Sequence, residues 1–579
     1  MTGPSTLLIL TPPNRRHALC LMAVVAAVTL GASGNSAADD REEFFENRIR
    51  PLLVNQCAEC HSGKTPEGDL RIDDIAALRK GGMNGPAVIA HDATGSLLLQ
   101  RVLTDDPDLL MPPEKRLSEA QIADLTQWIS TGAFWPESNQ SMNTAEDRAA
   151  YWSFQPLQEV TPPDVAALEW SSNPIDRFIA AGHESRGLTP VEPATKRELI
   201  RRTTLDLTGL TPTIEDVDAF LADDSPQAFE KVVDRLLASP EYGERWGRHW
   251  LDQARYADTS GDGTDTPIPE ARYYRDYVIQ AFNDDLPYDQ FLVEQIAGDL
   301  LAAENPDNPR YNDQIIATGY IALSRRFGNS AFAEMNLIID DTIDTIGKST
   351  MGLTLGCARC HHHKFDPVTM DDYYGMYGYF ENTQYPHAGT EHQKDRDHFV
   401  ALRKEAGLRE DYESLEAYAV ADKQKLTGDS SLRVGGDPNQ KGNRTPRGYL
   451  AVFTEPTTES SANDSGRLQF AKWLVSEENP LTPRVMVNRI WQYHFGTGIV
   501  ATSSNFGLQG AKPSHPELLE WLSAEFVRNN WSIKHIHRLI VLSRTYQLSS
   551  KPDEYNIVKD QANTGYWRHT RHRMDAEAL

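Results

Sequence analysis

Cys57-Ala58-Glu59-Cys60-His61 and Cys357-Ala358-Arg359-Cys360-His361 are the same five-residue pattern written twice, 300 positions apart. On a helical turn, side chains three and four positions apart share a face. Two thiols then reach the same side of a flat ligand, and the histidine beside the second thiol lies beneath it. That is the spacing by which the two vinyl groups of one haem are held as thioethers, with the imidazole as proximal ligand to the iron. The chain has five cysteines. Cys20 sits in the N-terminal apolar run, so the other four are all used by the two motifs and none is left for a separate disulfide framework.

For the first motif the competing readings are a zinc knuckle and a redox disulfide. A zinc site wants further Cys or His ligands at close spacing. The next cysteine is Cys357, and His91 is the only other histidine in residues 39–136. Haem on Cys57, Cys60 and His61 is therefore the reading carried forward. A low-spin iron also needs a distal ligand. Met111, in Met111-Pro112-Pro113, is the natural candidate: proline stiffness would hold the thioether in an extended loop, and a soft sulfur ligand favours Fe(II). Met83 in a glycine-rich stretch is the rival, and plain core packing of Met111 is the bland alternative.

Working outward, apolar residues recur at helical spacing through most of the chain. Residues 44–53 lead into the first motif. A helix over 119–129 carries Ile122, Leu125 and Ile129, with Ser118 as its cap and Gln121 completing a capping box. Further helices are expected at 199–210, 217–221, 229–237, 277–282 and 291–301. Ser514 and Glu517 suggest another capping box before a face of Leu518, Leu519, Leu522 and Phe526. Ser532 should cap a helix carrying Ile533, Ile536 and Ile540. Strict alternation, the mark of a large sheet, is scarce. Residues 386–455 are polar and of low periodicity; they read as a long mobile connection with one helix near 408–418.

A length of 579 residues is a soft prior for three or four domains. With 40% hydrophobic and 24% charged residues the composition is ordinary for globular cores. The net charge of −26 disfavours nucleic acid and anionic membrane surfaces as partners. Arg15-Arg16, the apolar run 18–30 and the small residues Ser36-Ala37-Ala38 predict an export signal cleaved before Asp39, with an uncleaved anchor as the alternative. A twin-arginine route is a weaker match. Export agrees with the motifs, because bacterial haem attachment takes place outside the cytoplasm. The expected location is the periplasm or cell envelope, with no membrane-spanning segment in the mature chain.

These stretches resemble a known arrangement. Cys57 to His61, Ser96-Leu97-Leu98, Met111-Pro112-Pro113 and Trp128-Ile129-Ser130-Thr131-Gly132-Ala133 are similar to the planctomycete cytochrome C-like domain. Arg201-Arg202-Thr203-Thr204-Leu205-Asp206-Leu207-Thr208-Gly209-Leu210, Trp250-Leu251-Asp252, Arg255-Tyr256-Ala257-Asp258 and Ala297-Gly298-Asp299-Leu300 resemble the first of two domains of unknown function that commonly follow it. Asn479-Pro480-Leu481-Thr482, Val487-Asn488-Arg489-Ile490-Trp491 and Ser514-His515-Pro516-Glu517-Leu518-Leu519 resemble the second. The resemblance implies an exported, haem-bearing protein without supplying a substrate. It also suggests that the last residues, 574–579, fall in the middle of the final domain.

The second motif runs on as His361-His362-His363-Lys364-Phe365-Asp366, where relatives usually carry an acidic residue in place of His362. Read as haem, Cys357 and Cys360 are the anchors and His361 the proximal ligand. The resemblance makes His249 the first candidate for the distal position, with Met370, Met376 and His387 competing. Read as zinc, the ligands are Cys357, Cys360, His361 and His363, with Asp366 as a further candidate. Asp258, Asp262 and Asp265 form a calcium loop or, better, a solvated acidic turn. Asp340, Asp341 and Asp344 read as an exposed acidic helix face, and Tyr273-Tyr274 and Tyr373-Tyr374 as core.

The expected fold is mainly α: a signal peptide (1–38), a small class I-type cytochrome c domain (39–136), a linker (137–150), a helical domain with the second motif (151–385), a polar linker (386–455) and a C-terminal helical domain (456–579). The expected function is single-electron transfer with one or two haems, as a redox module served by a partner protein or a small-molecule donor or acceptor. A dihaem peroxidase-like enzyme, and a monohaem scaffold with zinc at the second motif, are the alternatives.

Overall fold

The computed structural model describes residues 44–49, 52–53, 56–61, 67–72, 75–106, 109–113, 116–135, 148–166, 170–171, 173–261, 265–326, 335–389, 396–404, 415–453, 464–571, 573–574 and 576. The expected signal peptide and Asp262 lie outside them. The fold is mainly helical, and the chain divides into two compact units, Met1–Ser141 and Met142–Leu579.

In the first unit, short helices Ile75–Lys80 and Leu97–Leu103 and the longer Glu119–Ser130 pack around Phe45, Ile49, Leu53, Leu78, Leu99, Leu125, Trp128 and Ile129. The capping box of the last helix is present as expected: Ser118 accepts from the Gln121 N–H, and Gln121 accepts from the Ser118 N–H. Trp128 is fully buried, and its indole donates to the Phe134 carbonyl at 2.6 Å.

The second unit is a helical body with one continuous core. Observed helices include Lys196–Thr208, Ala228–Leu237, Pro240–Gln253, Ala271–Asn283, Tyr288–Glu304, Met335–Ile346, Met370–Glu381, Leu481–Phe495, Pro516–Arg528 and Ile533–Val541. The helix expected at 199–210 starts earlier because Thr195 and Glu198 form a capping box, and it stops at Gly209, whose φ of 72° is left-handed. Ser532 caps its helix as expected, and Ile533, Ile536 and Ile540 are buried. The capping box expected at Ser514 and Glu517 is not formed. His515 occupies the cap position, and its ring bonds the Ser514 hydroxyl at 3.1 Å.

Residues 386–455 differ most from expectation. They hold strands of three antiparallel pairs: Thr383–Gln384 with Ala421–Asp422, Val400–Ala401 with Glu416–Ala417, and Ser430–Arg433 with Lys441–Thr445. Ala417, Tyr418, Ala419, Val420 and Leu450 are buried in the common core. The two-residue strands are too short to show a period of two, and Ser430–Arg433 with Lys441–Thr445 is mostly polar without apolar alternation, so the sequence reads as loop. Residues 408–414 of the helix expected at 408–418 lie outside the described residues, and of the rest Glu416–Ala417 is a strand, not a helix.

Arg467 explains why these regions share one core. It is fully buried and pairs at 2.7 Å with Asp299 of helix Tyr288–Glu304 and at 2.7 Å with Asp422 of strand Ala421–Asp422. Three sequence regions thus meet at one guanidinium, whose planar fork suits two carboxylates. No helix among the described residues is long and apolar enough to cross a membrane.

Candidate functional site

The first motif is a helical turn. The Cys57 N–H donates to the Leu53 carbonyl and the His61 N–H to the Cys57 carbonyl, both at 3.1 Å. Cys57, Cys60 and His61 therefore follow one another on helical geometry, and all three are half-buried. Burial, with Cys60 nearby, pushes the Cys57 thiol up to about 11. The sulfur is thus held as S–H, the form that adds to a vinyl group. The backbone N–H of Met111 donates to the Arg101 carbonyl at 3.0 Å, the Met111–Pro112 peptide is cis, and Met111 is 37% exposed. Met83, the rival, is 77% exposed.

The second motif is built differently. Gly356–Arg359 is a 3₁₀ turn, and Cys357, Cys360, His361 and His362 are exposed. The turn is tied down from behind. Arg359 pairs with Asp340 at 3.3 Å, the Tyr373 hydroxyl donates to the other oxygen of Asp340, and the Tyr374 hydroxyl donates to the Arg359 carbonyl at 2.9 Å. Tyr373 and Tyr374 are buried, as are Tyr273 and Tyr274. The acidic helix face is not a solvated one: Asp340 is bound to Arg359, Asp341 to Arg255, and Asp344 to Lys348 at 2.6 Å. Sequence spacing exposes the acids but cannot show cations arriving from other elements.

His361 is informative. Its Nδ1 lies 2.7 Å from the His362 carbonyl, which can only accept. Nδ1 therefore carries the proton, and the lone pair is on Nε2, as an iron ligand requires. The zinc set is divided by exposure. His363 and Asp366 are buried while the two cysteines and His361 are exposed, and the Asp366 N–H donates to His363 Nδ1 at 2.8 Å. Asp366 also accepts from the Leu508 N–H at 2.7 Å. Burial lowers the His363 pKa and raises that of Asp366. Among the described residues no three His, Cys, Asp or Glu side chains form a group able to hold a metal ion. Asp258 and Asp265 stand on an exposed turn, where Tyr256 donates to Asp258 at 2.5 Å.

His249 lies on helix Pro240–Gln253, its ring stacked on Tyr493 at 3.7 Å and edge-on to Trp246 at 5.3 Å. With Trp246 and Tyr493 it lines a cavity of about 20 Å³, room for a single water. Behind Trp246 is a polar network the sequence did not announce. Tyr546 donates to Asp206 at 2.6 Å, Asp206 lies 3.6 Å from His494 Nδ1, and His494 Nε2 lies 2.8 Å from His537 Nδ1. Burial pushes the Asp206 carboxyl up, but the bonds from His494 and Tyr546 outweigh it and leave the pKa below its usual range. Burial, with His494 and His249 beside it, holds His537 neutral. The one readable sign was His537 on the apolar face of Ile533, Ile536 and Ile540. Its partners come from elsewhere in the chain.

Residues 57–115 match the family described as planctomycete cytochrome C. Residues 174–385 match a protein family of unknown function, DUF1549, and residues 466–579 another, DUF1553. No curated protein and no solved structure matches the chain.

Proposed function

Because the chain belongs to the proteins in which a planctomycete cytochrome C domain is followed by DUF1549 and DUF1553, we propose that it is an exported dihaem cytochrome that passes single electrons. The cytochrome C match implies covalent haem in the first unit, and the helical turn at Cys57, Cys60 and His61 fits that group. Bound there, haem supplies a one-electron redox centre. The chain's own part is to present two thiols and an imidazole on one helical turn, with Met111 as the distal candidate.

The second haem rests on one observation above all. His361 donates Nδ1–H to the His362 carbonyl, which turns the ring's one acceptor nitrogen into a ligand atom next to two exposed thiols. The divergence of His363 and Asp366 from that trio argues against zinc. Export follows from the reading of residues 15–38 and from the compartment in which thioethers are made. An electron partner, protein or small molecule, would meet the haem edges.

The test is the pyridine haemochrome ratio of the full chain matured with a cytochrome c assembly system. Two haems per chain are expected. One haem reduces the protein to a monohaem cytochrome joined to a helical body, and none overturns the haem reading.

A further inference from the structure

The β-hairpin of strands Ser430–Arg433 and Lys441–Thr445 falls between the regions matched by DUF1549 and DUF1553, so neither family accounts for it. It packs on helix Met370–Glu381, which follows the second motif. Arg433 is buried, bonds Glu381 at 3.2 Å, and lies over the Tyr377 ring at 5.8 Å; Thr445 donates to Asp371 at 3.1 Å. The hairpin is thus held in place from both strands.

Its turn meets Cys360, the second cysteine of the motif. Gly436 has a left-handed φ of 79°, and a Cβ built on it would lie 2.5 Å from Cys360 Sγ. That is about 1 Å inside ordinary non-bonded contact, so any side chain here must displace the sulfur. Gly435, next to it, has a φ of 61°, and a Cβ there would meet nothing within 4 Å. The same turn carries Val434, a large apolar residue left 57% exposed. An exposed apolar residue on the turn that meets Cys360 gives an apolar planar ligand one wall to lie against.

We propose that hairpin 430–445 is a wall of the second haem site, and that Gly436 keeps clear the space in which Cys360 makes its thioether. This rests on the dihaem reading above. The step is an addition. The Sγ–H bond breaks, an Sγ–C bond forms to the vinyl α-carbon, the hydrogen goes to the β-carbon, and the C=C bond becomes single. No electrons are gained or lost, so only the placement of the sulfur decides the outcome.

The experiment compares the full chain with Gly436→Ala and Gly435→Ala, all matured together, by haem count and by mass spectrometry of the peptide holding residues 357–361. Both variants put a side chain on left-handed backbone, so they share that strain. Only Gly436→Ala meets Cys360. The expected result is two haems in the parent and in Gly435→Ala, and in Gly436→Ala a Cys360 free of thioether with the first haem retained. If Gly436→Ala fails to fold, adding Cys360→Ala removes the collision and restores the melting temperature to that of Gly435→Ala. Intact thioethers at both cysteines of Gly436→Ala, or no recovery in the double variant, overturn the proposal. A parent with one haem overturns the dihaem reading, and the proposal with it, before any variant is compared.

Discussion

In residues 1–141 the Cys-Ala-Xaa-Cys-His pattern is a turn of α-helix, half-buried, with one thiol pushed up by desolvation. In residues 142–579 the same pattern is a 3₁₀ turn standing in solvent, fastened from below by Asp340, Tyr373 and Tyr374. Four of the five residues are identical; the middle one, Glu59 or Arg359, is not. Arg359 supplies one of the fastenings, so the variable position of the motif is where the second unit takes hold of it. The local pattern states what can be bound. The surroundings decide how rigidly the pattern is held and how open it lies.

The comparison depends on the two units having separate cores, and Arg467→Ala tests that most severely. The substitution leaves Asp299, whose carboxylate is buried, and the half-buried Asp422 without their cation. Breaking such a group costs about 3–5 kcal/mol. Two-wavelength melting in a Cys357→Ala, Cys360→Ala background, where only the first-unit haem is left to absorb, should show the helical signal of the second unit collapsing at a lower temperature with the Soret band unmoved. A Soret change that tracks the collapse would mean the units unfold as one.

Thiol reactivity sharpens the contrast at the motifs themselves. In reduced chain without haem, alkylation at pH 8 should strike Cys357 and Cys360 first, because both are exposed. Cys57, with its thiol near 11, holds only about one thiolate in a thousand at that pH. Peptide mapping over a time course should show Cys57 slower by roughly a hundredfold or more. Equal rates would show that the half-buried turn opens freely, and the two environments would not differ as described.

What the sequence disclosed follows from range. The motifs, the Ser118 and Ser532 caps and the buried isoleucines of Ile533–Val541 all rest on residues within a turn or two of each other. The strands of 386–455 were missed because two of the pairs are built of two-residue strands, which have no period, and the third pairs mostly polar residues with no apolar alternation. The Asp206, His494 and His537 network, and the junction at Arg467, were missed because their members come from elements far apart in the chain. The resembling motifs gain physical meaning only here. Asp299, in Ala297-Gly298-Asp299-Leu300, is the anchor of Arg467. Asn488 exchanges two hydrogen bonds with the Val500 backbone, and Arg489 donates to the carbonyls of Lys348 and Ser349. These positions hold the body together.

The smallest expected effect concerns pH. The second unit buries His183, His515 and His537, whereas in the first His61 is half-buried and His91 exposed. Burial, with Arg186 and His183 near, lowers His515 from 6.5 to about 3. A histidine kept neutral in the fold binds its proton in the unfolded chain first. Its contribution is therefore whole above pH 6.5 and declines as pH falls from there toward 3. Between pH 6.5 and 5 this one residue removes on the order of 2 kcal/mol. The second unit should melt at a lower temperature at pH 5 than at pH 7.5, with a smaller change in the first. His515→Asn keeps a side chain able to cap the helix Pro516–Arg528 and has nothing to titrate. It should flatten that slope by about the same 2 kcal/mol. A slope unchanged in His515→Asn would place the acid sensitivity on His183, His363 or His537. Equal slopes in both units would remove buried histidine as a difference between them.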